Sequence, residues 1–180
     1  MNSLAMDASG IAEAVDAMFD ALRRGDEAKA VDFIDSVKGA AHLGLCLLGA
    51  CETGHPECTR LLLAAHAAID QADSKGKTPL IAACIKGHGD CARLLLAAHA
   101  VVDQADSNGK TPLHAACLKG DGGCTQMLLA AHAAVDQATS KGVTPLLAAC
   151  DKGDGDCVQQ LLAAHAAVDQ AASDLSLIHI

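Results

Sequence analysis

The stretch DSKGKTPLIAACIKGHGDCARLLLAAHAVVDQA at residues 73–105 decides the fold, because near-copies of it follow. Residues 73–105, 106–138 and 139–171 align without a gap, and the first two agree at 24 of 33 positions. Agreement at that level makes the period structural, since self-similarity every 20–50 residues or about that marks a stacked repeat architecture. Residues 40–72 align as well from Cys51 onward, but read LGLCLLGAC at 43–51 where the next unit reads GKTPLIAAC. That repeat is degenerate at its start.

Within the 73–105 unit, Asp73 to Lys77 reads as a turn centred on Gly76. Thr78 suits a helix N-cap, where its hydroxyl accepts an orphan N–H, and Pro79 suits the first helical position, where no N–H is needed. The pattern predicts a first helix to about Lys86, stopped by Gly87, with Leu80, Ala83 and Cys84 as its apolar face. A second helix is expected from near His88, presenting Cys91, Leu94, Leu95 and Ala98 at i, i+3, i+4 and i+7. Neither helix can bury its face alone, so stacked neighbours must share one continuous core, the logic of a solenoid.

These units closely resemble the ankyrin repeat. The resemblance rests on the 33-residue period, TPL at 78–80, 111–113 and 144–146, the full TPLHAA at 111–116, and the spacing from Gly to Leu-Leu. It implies an all-α ankyrin-repeat solenoid of stacked helix-turn-helix units joined by β-turn or hairpin-like loops. Repeats are expected at 40–72, 73–105, 106–138 and 139–171. ALRRGDEAKAVDFI at 21–34 matches the second half of a unit, with Gly25 in the place of Gly87 and Phe33-Ile34 in that of Leu95-Leu96. Residues 1–39 are therefore expected to form an N-terminal helical cap with a polar outer face.

The repeat register continues to Ser173 and then breaks, with DLSLIHI standing where a glycine and TPL are due. LSLIHI is also the translation of the transposon-end adapter CTG TCT CTT ATA CAC ATC used in sequencing libraries. Residues 172–180 are thus expected to be the start of a cut-short repeat followed by an adapter-derived tail, 175–180, and excluded from fold reasoning.

The net charge of −9, from 13 basic and 22 acidic residues, argues against a nucleic-acid partner, which calls for a basic surface. MNSLAMDASG has neither the basic nor the apolar region of a signal peptide, and runs such as LLLAAHAAI at 61–69 are too short to span a bilayer. The expectation is an intracellular, cytoplasmic chain, with the nucleus also open to it, its nine cysteines kept as free thiols. A core of Ala and Leu with no Trp or Tyr suits close-packed helices.

Cysteines and histidines recur at repeat spacing. Cys51, Cys84, Cys117 and Cys150 fall late in the first helix, and Cys58, Cys91, Cys124 and Cys157 early in the second. Their gaps of six residues do not match the close pairs of a zinc site. Equivalent residues of stacked units point the same way across the roughly 8–10 Å between packed helices, which argues against bridges between units. A pair within one unit, such as Cys84 and Cys91, stays open on distance. The resemblance favours small buried hydrophobes, since ankyrin repeats commonly carry Ala and Val at these two positions. His66, His99, His132 and His165, each followed four residues later by an Asp, cannot converge on one metal for the same geometric reason. The resemblance puts them where ankyrin repeats usually have Gly, in a left-handed turn that His tolerates better than most residues. The Asp is expected to support the next turn. No nucleophile elbow, phosphate loop or zinc-protease motif occurs, so no catalytic residue, metal or cofactor is expected.

Ankyrin repeats typically bind other proteins through turn tips and the exposed side of the first helix. The matching positions here are Lys75, Lys77, Ile85 and Lys86; then Asn108, Lys110, Leu118 and Lys119; then Lys141, Val143 and Lys152. Seven of the nine lysines lie there, so an acidic chain concentrates its lysines on the face implied for recognition. The plain alternative is that Lys simply solubilises turns and complements helix C-termini. The functional reading is a monomeric, non-enzymatic scaffold whose protein partner carries an acidic segment. The competing reading is the recognition arm of a larger enzyme or channel.

Overall fold

The structure is a computed structural model that describes residues 15–21, 24, 26–36 and 40–166. The described residues form ten helices and no strand: α1 (15–21), α2 (Glu27–Ser36), α3 (Ala40–Thr53), α4 (Pro56–Ala64), α5 (Pro79–Lys86), α6 (Gly89–Ala97), α7 (Pro112–Lys119), α8 (Gly122–Ala130), α9 (Pro145–Lys152) and α10 (Gly155–Ala163). Odd-numbered helices from α3 to α9 stack on one another as one layer, and even-numbered helices from α4 to α10 stack as a second. The N-terminal segment expected at 1–39 is described only in part, and the break in register after Ser173 lies outside the described residues.

Local chemistry sets the helix ends. Thr78, Thr111 and Thr144 sit at extended N-cap positions, and each hydroxyl accepts a backbone N–H from three residues on. Gly87, Gly120 and Gly153 close α5, α7 and α9 with φ between 74 and 78°, a conformation that costs Gly little. The degenerate unit lacks this Thr-Pro punctuation, and its first helix accordingly begins earlier in register: α3 has 14 residues where α5 has 8. The longer helix is crossed closely by the chain leaving α4. A Cβ on Gly44 would lie 2.6 Å from Gln71 Cβ and 2.9 Å from the Ala68 carbonyl, so only Gly fits.

Two leucine columns form the core. Leu47, Leu80, Leu113 and Leu146 line the inner side of the first layer, and Leu62, Leu95, Leu128 and Leu161 that of the second; all are buried. At roughly 25 cal/mol per Å² of apolar surface removed from water, each buried leucine contributes about 2 kcal/mol before entropy is counted. The first helix behaves as expected, with Leu80, Ala83 and Cys84 buried, and Ile81 and Ala82 join them. The second helix differs from its expected face. Cys91, Ala92 and Leu95 are buried, Leu94 is half-buried and Ala98 is exposed, because α6 ends at Ala97 and Ala98 is already its C-cap. In α2 the burial falls on Ala30 and Ile34, while Phe33 is half-buried.

Candidate partner-binding face

Each turn is organised by the residue that opens it. Asp73 Oδ1 accepts the N–H of Lys75 at 2.8 Å and of Lys77 at 2.9 Å, and Gly76 N–H closes the turn on the Asp73 carbonyl. Burial opposes the Asp73 charge, but these amides and Lys77 outweigh it and hold the carboxyl below its usual value. Asp106 repeats the pattern with Asn108 and Lys110. Thr139 keeps one bond, to Val143 N–H at 3.1 Å. Successive tips are tied together: Ser107 N–H donates to the Lys75 carbonyl and Ser140 N–H to the Asn108 carbonyl, both at 2.9 Å. The tips therefore form one continuous edge of backbone.

Along this edge and the first helices, Lys75, Ile85, Lys86, Asn108, Leu118, Lys119, Lys141 and Lys152 are exposed, and Lys77, Lys110 and Val143 are half-buried. Ile85 and Leu118, at 42 % each, are among the few large apolar side chains left open to solvent. The structure gathers Asn108, Lys110, Leu118, Lys141 and Val143 into one groove of about 420 Å³ beside α7. It completes that groove with His114, Thr139, Ser140 and Asp151. Lys119 and Lys152 lie apart from it, in an open depression beside Asp154 and Asp156.

Lys77 differs from the rest. It is ion-paired with Glu52 of α3 and lies 3.7 Å from Asp73 Oδ2. Burial disfavours its charge, yet the two carboxylates more than offset this and raise it above its ordinary 10.5. Glu52 occupies the place that Ile85, Leu118 and Asp151 fill in later repeats, so this pairing belongs to the junction with the degenerate unit. Among the described residues no carboxylate lies within salt-bridge distance of Lys75, Lys86, Lys110, Lys119, Lys141 or Lys152.

His114, which the sequence reading passed over, anchors the groove floor. Its side chain is buried, Nδ1 lies 2.9 Å from Thr111 Oγ1, and Nε2 lies 2.8 Å from the Val143 carbonyl. A carbonyl only accepts, so Nε2 carries the hydrogen and Nδ1 accepts from Thr111. Burial lowers the imidazole from its usual 6.5, in keeping with this neutral tautomer. The signal was present in TPLHAA, where a histidine stands in an otherwise apolar helix.

The His-Asp stretches prove structural. His66, His99, His132 and His165 have φ of 58, 65, 62 and 64°. His99 N–H donates to the Leu96 carbonyl and Ala100 N–H to that of Leu95, the double closure of a Schellman turn. The following aspartate acts one repeat along, though on the link after the helix pair and not on the turn. Asp70 Oδ1 accepts Val101 N–H at 3.0 Å, and Asp103 Oδ1 accepts Ala134 N–H at 2.9 Å. Among the described residues no group of three or more His, Cys, Asp or Glu side chains is placed to hold a metal ion, and no helix is long and apolar enough to cross a membrane.

The cysteines correct one expectation. Non-equivalent cysteines of neighbouring repeats come together around one hydroxyl: Thr59 Oγ1 lies 3.8 Å from Cys51 Sγ and donates to Cys91 Sγ at 3.5 Å. Stacking keeps translationally equivalent positions apart, but the offset between units brings first-helix and second-helix positions of neighbouring repeats to the same hydroxyl. Eight of the nine cysteines are buried, and Cys150 is exposed.

A family model described as ankyrin repeats (3 copies) matches residues 21–106 and 98–174. No curated protein matches the chain.

Proposed function

The chain belongs to the ankyrin-repeat family, whose members are generally protein–protein interaction modules, and on that premise we propose that it binds an acidic protein segment along its turn tips and first helices. The observation that carries this reading is the groove itself, lined by Lys110 and Lys141 together with the apolar Leu118 and Val143, and with Asp151 as its one acidic residue. A segment alternating carboxylates with an aliphatic side chain complements it in charge and in shape. Lysines on the rim chiefly speed the encounter, and buried apolar contact slows release. The chain acts as a scaffold, monomeric and without a reaction of its own. Nine cysteines without a partner at disulfide spacing in the sequence suit a reducing interior, which supports reading this binding as an intracellular one.

The test is a titration of the isotope-labelled protein with a short Asp/Glu-rich peptide containing leucine, followed by NMR. Shifts should concentrate at Lys110, Leu118, Lys141 and Val143. Lys110→Glu with Lys141→Glu should weaken binding about tenfold, and raising salt from low to physiological should weaken the wild type in the same direction. Lys77 is left intact because it holds Glu52. Shifts confined to the even-numbered helices, or an affinity indifferent to both charge reversals, would refute the reading.

A further inference from the structure

We propose that the cysteines paired diagonally across repeat junctions form reversible disulfides, oxidised by a small neutral peroxide, with Cys51 and Cys91 the first rung to close. The pairing is built into the repeat. Each first-helix cysteine has a counterpart on the second helix of the next unit, 40 residues on: Cys51 and Cys91, Cys84 and Cys124, Cys117 and Cys157. Thr59 Oγ1 bridges the first rung, 3.8 Å from Cys51 Sγ and 3.5 Å from Cys91 Sγ. Thr125 takes the same place in the third rung, 3.3 Å from Cys157 Sγ. In the second rung the equivalent residue is Ala92, so no hydroxyl stands between Cys84 and Cys124.

The surroundings favour a disulfide over a bound soft metal. Two thiolates around a monovalent metal leave a net negative charge, which an apolar core resists, whereas a disulfide is neutral. No third ligand stands near among the described residues. The rungs also differ in readiness. The neighbouring Cys51 thiol and the Thr59 hydroxyl that reaches both sulfurs hold the Cys91 thiol below its ordinary value against burial. The same pairing and burial push Cys51 up. Burial pushes Cys117 up to about 12 and raises Cys157 as well.

The chemistry balances with peroxide as oxidant. The Cys91 thiolate attacks one peroxide oxygen, the O–O bond breaks, and the leaving hydroxide takes a proton to become water. Cys51 sulfur then attacks the sulfenic sulfur of Cys91, and its proton departs with the hydroxyl as a second water. Two thiols lose two electrons in all, and one peroxide gains them; a dithiol reductant reverses the step. The buried sulfurs are reached by local opening at a repeat junction.

The full chain is treated with hydrogen peroxide under native conditions, blocked with N-ethylmaleimide, digested with trypsin and mapped by mass spectrometry. Cleavage after Arg60, Lys86 and Arg93 puts Cys91 on its own peptide, Cys84 on another, and Cys46, Cys51 and Cys58 together, where fragmentation distinguishes them. The expected first product joins Cys91 to Cys51, followed by Cys84–Cys124 and Cys117–Cys157, with Cys46 and Cys58 still free. The oxidised monomer should melt about 5 °C higher than the reduced one, and dithiothreitol should erase the gain. In Cys51→Ala, Cys91 should stay unlinked and be trapped as a sulfenic acid. In Cys91→Val, Cys51 should remain a free thiol. A Cys91–Cys84 or Cys91–Cys58 link, links only between molecules, or thiols inert until the chain is denatured would each overturn the proposal.

Discussion

His114 shows how one side chain joins two repeats and makes their junction sensitive to pH. Its imidazole links the Thr111 cap to the Val143 carbonyl of the next turn, and burial holds it neutral by lowering its proton affinity from the ordinary 6.5. Nearby Lys110 adds to that lowering and Asp106 opposes it. A histidine whose folded value is depressed contributes stability that is intact above its unfolded value and is lost as pH falls through the folded one. The junction should therefore weaken as pH drops from 7 toward 5. The equivalent residue one repeat earlier is Ile81, which makes His114→Ile a natural comparison. At pH 7 the variant should be less stable by about 1 kcal/mol, because the Val143 carbonyl loses its donor. That deficit should shrink or reverse by pH 5, as urea unfolding at the two pH values would show. A deficit that stays constant would mean His114 does not titrate with unfolding.

At the scale of the element, the turn is the unit of variation. Asp73 and Asp106 each accept two backbone N–H groups, and Thr139 in the same place accepts one. Thr139→Asp should supply the missing bond to Lys141 N–H and raise stability by about 0.5–1 kcal/mol, read from the denaturant midpoint at unchanged m-value. Asp106→Ala should lower it by about as much or more. The helices that follow were legible in the sequence because their signals are local: Thr and Pro start them and Gly stops them within eight residues. The start of α3 was less legible, since Thr-Pro is absent there and only the fit of Gly44 against Ala68 and Gln71 reveals what the longer helix meets. The His turn was legible for the same local reason as the caps. Its aspartate partner was not, because Val101 reaches Asp70 only after the repeats have stacked.

Contacts between repeats are where pattern reading stopped at the scale of the whole molecule. The exposure of the lysine face follows from repeat position, whereas the pairing of Lys77 with Glu52 and the diagonal cysteine rungs depend on the offset between neighbouring units. The same offset governs stability, because each helix pair is held chiefly by the pairs on either side of it. Leu95 and Leu161 are equivalent residues, both fully buried, so truncating either to Ala should remove a similar 3 kcal/mol or thereabouts. The consequences should nevertheless differ. α6 is packed between α4 and α8, whereas α10, the last described helix, packs on α8 and α9. Leu95→Ala weakens two junctions in the middle of the array, and native-state hydrogen exchange should speed up from α3 through α10. Leu161→Ala weakens the last described pair, and the increase should be confined to α9 and α10 while α3–α6 keep their wild-type protection. If Leu161→Ala lowered protection evenly across all helices, the array would unfold as one cooperative block, and the coupling between repeats would have to exceed the stability that a single repeat loses.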